Sequence, residues 1–77
     1  MELKRFIENF AKQFDDTDPS EIKANTNFRD LEEWSSLVGL SVIAMIDEEY
    51  EVILNGEDMR KAHTVSELYE IVKHKMS

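Results

Sequence analysis

Apolar residues recur at three- and four-residue intervals near the start of the chain, at Leu3, Phe6, Ile7, Phe10 and Phe14. Glu2, Lys4, Arg5, Glu8 and Lys12 fill the opposite face, so the segment predicts an amphipathic helix with one buried stripe. Aspartates follow at Asp15, Asp16 and Asp18. Asp18-Pro19-Ser20-Glu21 then has the form of a capped helical turn, with an acceptor before proline at the first helical position and an acid at the third, and predicts a short turn near Ile22. From Asn25 to Ser35 the chain is polar except for Phe28, Leu31 and Trp34, spaced so as to fasten a long connection onto a core. An ordered loop is expected there.

The segment Ser36 to Tyr50 is apolar almost all round for its first eleven residues and acidic at its end, which predicts a central helix with two apolar faces. Gly39, Val42, Ile43, Ile46 and Tyr50 form the stripe expected to pack on Phe6, Phe10, Leu68 and Ile71. Val52-Ile53-Leu54 is strand-like, but three residues with no second strand cannot make a sheet, and it reads as an apolar connector plugging the bundle. Asn55-Gly56 marks a turn, and Glu57 to Ala62 is long enough for a brief third helix. Thr64-Val65-Ser66-Glu67 matches a capping box. Val65, Leu68, Ile71, Val72 and Met76 continue it at helical spacing, with Lys73, His74 and Lys75 suited to the C-terminal dipole. The expected architecture is all-α, a small four-helix bundle of three main helices and a short third one, with a long loop between the first two, in a single domain spanning residues 1–77.

Composition narrows the function. The chain of 77 residues has no cysteine, so no disulfide or thiolate metal site is available, and a reducing compartment suits it. Seventeen acidic against nine basic residues give a net charge of −8, which repels nucleic acid and anionic membrane surfaces and favours basic protein partners. The N-terminal segment interrupts its apolar residues with charges, unlike a signal peptide or a membrane span. A cytoplasmic, monomeric protein without membrane insertion is expected.

Trp34-Ser35-Ser36-Leu37 lies where the loop meets the central helix, and a serine there is exposed beside unpaired backbone N–H groups. Those donors and the positive end of the helix dipole would stabilise a phosphodiester on its hydroxyl, although local spacing alone favours the plainer reading that both serines cap the helix. The whole chain resembles the acyl carrier protein family. The likeness lies in the amphipathic first segment, Ile22, Phe28-Arg29-Asp30-Leu31, Ser36-Leu37, Asp47-Glu48-Glu49 and Thr64-Val65. In that family a serine followed by leucine or methionine carries 4′-phosphopantetheine, taken from coenzyme A by a phosphopantetheinyl transferase. Ser36 matches that position, whereas Ser35 and Ser41 do not.

The resemblance implies a non-catalytic carrier that holds acyl intermediates as thioesters on the arm and presents them to acyl-transfer and synthase enzymes, in fatty-acid or related acyl-chain biosynthesis. It also implies that Leu37, Leu40, Ser41, Ala44, Asp47 and Glu48, along one side of the central helix, meet basic patches on those enzymes. Two departures stand out. The aspartate that usually precedes the modified serine is replaced by Ser35, and the first half of the central helix is uncharged, with Val38, Gly39 and Ser41 where relatives often place acids or threonine.

Three other readings compete. Asp15, Asp16 and Asp18 suggest calcium, but they lack the alternation, glycine and closing glutamate of an EF-hand, and no metal site is expected. Ser36, His63 and Asp47 could be named as a hydrolytic triad, but no nucleophile elbow surrounds Ser36. A helical interaction domain without a prosthetic group, presenting Leu37, Val38, Leu40 and Met45 to a partner, is the main alternative.

Overall fold

A computed structural model describes residues 2–76. Four helices follow one another: α1 (Leu3–Ala11), α2 (Ser36–Tyr50), α3 (Gly56–Lys61) and α4 (Val65–Met76). The long α1–α2 connection carries 3-10 turns at Pro19–Glu21 and Phe28–Asp30. Among the described residues there is no strand, only an isolated antiparallel bridge between Asn27 and Thr64. This is the all-α bundle that the periodicity predicts.

The first stripe runs past the end of its helix. Gln13 and Phe14 donate to the carbonyls of Phe10 and Ala11, each at 3.1 Å and three residues back, so the chain tightens as it leaves α1. Phe14 stays buried although it lies outside the helix.

In α2 the buried residues are Gly39, Val42, Met45 and Ile46; Ile43 and Tyr50 of the expected stripe also pack against the core, and Met45 is the addition to it. Ile43 and Tyr50 are half-buried, as is Ile71, and Met45 takes the inward place. A helix apolar on nearly every side carries little information about which face turns in. Tyr50 keeps its polar tip near the surface: its ring packs 5.7 Å from Phe6, and its hydroxyl accepts a hydrogen bond from Asn9 Nδ2 at 2.9 Å.

The expected apolar plug is also only partly a plug. Val52 and Leu54 are buried, but Ile53 is 79% exposed, the alternation of an extended segment. Asn55-Gly56 begins a helix rather than a turn. Asn55 Oδ1 accepts from Asp58 N at 2.8 Å and Asp58 Oδ2 accepts from Asn55 N at 3.1 Å, a reciprocal cap. At α4 the predicted box is formed, with Thr64 Oγ1 accepting from Glu67 N and Glu67 Oε1 accepting from the backbone of His63 and Thr64.

Backbone bonds from Val65 to Thr26 and from Ser66 to Ala24 tie the long loop to the start of α4. The loop is therefore ordered, as the spacing of Phe28, Leu31 and Trp34 predicts. Arg29 completes the attachment: its guanidinium donates to the carbonyls of Met59 and Ala62 at the end of α3, where the last helical C=O groups have no partner within the helix.

Among the described residues, one non-glycine position has a positive φ. Glu51, after the end of α2, has φ 56° and ψ 37°, the left-handed conformation that suits glycine. Its carboxylate also follows Asp47, Glu48 and Glu49 at the negative end of the helix dipole. Glu51→Gly is expected to stabilise the fold by about 1 kcal/mol, read as a higher urea midpoint at unchanged slope; an unchanged or lower midpoint would contradict this account of the cap.

Candidate functional site

The head of α2 is built by two adjacent serines in different roles. Ser35 has extended backbone and caps the helix, its Oγ accepting from Val38 N at 3.3 Å and its carbonyl from Gly39 N at 2.9 Å. Ser36 is the first helical residue and is exposed. The hydroxyl of Ser35 thus faces the helix end, while that of Ser36 stands in solvent at the positive end of the dipole, with no acidic residue in the first turn.

Below Ser36, the outer side of α2 gathers the residues predicted to meet partners. Leu37 and Leu40 are 73% and 63% exposed, Ala44, Asp47 and Glu48 are exposed as well, and Ser41 is half-buried. Of the alternative patch, Leu37 and Leu40 are exposed and Val38 is half-buried, while Met45 is buried. Asp47 lies eleven residues from Ser36 on the same helix, about 16 Å along its axis, so these two cannot belong to one triad.

The family model for the phosphopantetheine attachment site matches residues 4–72. The chain belongs to this carrier family, that of the acyl carrier proteins. Among curated proteins and among solved structures, none matches it.

The prosthetic group of such carriers is covalent 4′-phosphopantetheine, and they work with a phosphopantetheinyl transferase and acyl-handling enzymes. Its terminal thiol supplies the sulfur chemistry that a chain without cysteine cannot provide itself. The head of α2 fits such a group: an exposed hydroxyl is available, first-turn N–H groups can face a phosphodiester, and the first turn holds no acidic residue. No described helix of the carrier is long and apolar enough to cross a membrane.

The acidic loop of the carrier is organised by a carboxylate that the sequence did not single out. Glu33 accepts from Thr17 Oγ1 at 2.7 Å and from the backbone N–H groups of Asp15 and Asp16 at 2.6 and 3.0 Å. Asp18, in turn, accepts from the backbone and hydroxyl of Ser20 as a turn cap. The hydroxyl of Thr17 does most to hold the Glu33 carboxyl below the ordinary glutamate range; desolvation opposes it, and the backbone donors add to the lowering.

A depressed folded-state pKa contributes stability that is present above the unfolded value and is lost as pH falls through the folded one. Glu33→Gln is therefore expected to be less stable than the natural chain at neutral pH, and the gap should close below the ordinary glutamate range. Urea midpoints of both proteins against pH check this; a constant gap across the acid range would show that the ionised carboxylate is not what holds the loop.

Proposed function

We propose that Ser36 carries the 4′-phosphopantetheine arm, and that the protein holds acyl groups on it as thioesters without catalysing their transformation. The single observation that carries this reading is the division of labour at the head of α2, where Ser35 spends its hydroxyl on the cap and Ser36 leaves its own exposed. Leu37, Leu40, Ser41, Ala44, Asp47 and Glu48 would form the face that meets partner enzymes, apolar near the arm and acidic further down. A net charge of −8 suits basic docking patches on a transferase and on acyl-transfer and synthase enzymes, and argues against nucleic acid. Fatty-acid or related acyl-chain biosynthesis is the pathway class that this reading favours, with the protein acting as a cytoplasmic monomer and a single domain.

The test is intact-protein mass after incubation with coenzyme A and a broad-specificity phosphopantetheinyl transferase. The natural chain and Ser35→Ala are expected to gain one phosphopantetheine, and Ser36→Ala none. No gain by the natural chain with several transferases would instead support a helical interaction domain without a prosthetic group.

A further inference from the structure

Between the core and Ser36 stands one large side chain. Trp34 is half-buried and is the only tryptophan of the chain. Its ring lies 4.7 Å from that of Phe28 and stacks at 6.3 Å on Phe14, while Phe10 lies 5.4 Å from Phe14 and 5.5 Å from Phe28. Four aromatic rings thus close a circuit that joins α1, the start of the long loop and its second half.

The other edge of the indole lies against α2. A Cβ built on Gly39 would sit 3.5 and 3.6 Å from Cζ2 and Cη2 of Trp34, ordinary van der Waals distances, so the indole lies alongside the first turn of the helix. That turn begins with Ser36, and the N–H of Gly39 closes it on the carbonyl of Ser35. One side chain therefore touches both the rigid aromatic cluster and the turn that carries the attachment serine. A side chain packed into the core cluster on one side and lying along a helical turn on the other transmits position between them, because displacing it breaks many contacts at once.

From this geometry we infer that Trp34 is a positioning residue for loading: it fixes where Ser36 Oγ stands relative to the docking side of α2. The inference rests on Ser36 being the attachment site. In the loading step the Ser36 Oγ–P bond forms at the β-phosphorus of coenzyme A and the pyrophosphate P–O bond breaks. Adenosine 3′,5′-bisphosphate leaves, and the hydroxyl proton passes to a base on the transferase. The transferase grips α2 on one side and must find Oγ in line with that phosphorus, so freedom between the two is paid in rate rather than in binding. In this chain Ser35 occupies the position before the attachment serine with no charge, which leaves shape and rigidity to present it.

The experiment compares steady-state loading of the natural chain, Trp34→Phe and Trp34→Leu by one transferase, with the melting transition of each recorded alongside. For folded Trp34→Leu, kcat is expected to fall roughly 10-fold or more, with KM for the carrier changed little because the outer face of α2 is untouched. Trp34→Phe, which keeps a flat ring on the cluster, should recover most of the rate. Wild-type kcat in folded Trp34→Leu, or a loss confined to KM, would overturn the inference while leaving Ser36 as the site. Failure of the natural chain to load at all would overturn the carrier reading and this inference with it. If Trp34→Leu does not fold, the natural protein decides: the emission of its single tryptophan should shift on loading and stay unchanged in Ser36→Ala treated alike, and identical spectra before and after loading would overturn the inference.

Discussion

Phe28→Ala is expected to cost about 3–5 kcal/mol of folding stability, a large share of what holds a domain of this size together. Phe28 has no exposed surface, and its ring touches those of Phe10 and Trp34 within the aromatic circuit. It is also the one fully buried residue of the 3-10 turn that fixes the long loop, so its removal opens a cavity and unfastens the segment leading to Ser36. Urea titration at neutral pH measures the loss. A cost below about 1.5 kcal/mol would mean that the neighbouring rings collapse into the space, and that the circuit is looser than its centroid distances indicate.

Arg29→Ala carries the second large effect, about 2 kcal/mol from charge-assisted hydrogen bonds whose acceptors would otherwise lie unpaired within the helix. The guanidinium binds two carbonyls at the end of a helix only six residues long, which has few internal hydrogen bonds of its own. It also lies 5.8 Å from the Phe28 ring centroid, so it joins the loop, the core and α3 in one contact set. Arg29→Lys should recover less than half of the loss, because a single ammonium cannot span both carbonyls as the planar fork does. Full recovery by lysine would show that charge alone matters at this point, and the same urea titrations distinguish the outcomes.

These two neighbours also show what the sequence does and does not disclose. Phe28 was legible as an apolar residue in a polar stretch, and burial follows from that contrast alone. Arg29 was visible only as part of a family resemblance, because its partners are backbone carbonyls thirty residues away, which have no signature in residue type. The caps at Asp18 and Thr64 were legible for the opposite reason: both partners lie within three residues. In α2 the helix was evident but its rotation was not, since Ile43 and Met45 are equally apolar and only the placement of α1 and α4 chooses between them. Ile53 was misjudged because an apolar run seems wholly buried until the backbone is known to be extended.

At the site, register put Leu37, Leu40, Asp47 and Glu48 on one side of the helix, and it was the family resemblance that turned this side outward. The distinct roles of Ser35 and Ser36 needed the backbone, because two adjacent serines differ only in which one lies outside the helix. Glu33 escaped as an organising residue for a related reason, and Trp34 was anticipated as an anchor of the loop but not as a neighbour of Gly39. Each acts across the loop, on Asp15 to Thr17 in one case and on Phe14 and Gly39 in the other, and those distances become short only after folding.

The central claim is that Ser36, and not its neighbour, bears the arm. Fragmentation mass spectrometry of the loaded protein, on a peptide containing Trp34 to Leu37, reads this residue by residue. The account predicts that fragments ending at Ser35 have their unmodified mass and that the phosphopantetheine mass enters with Ser36; an added mass already present on fragments ending at Ser35 would contradict it.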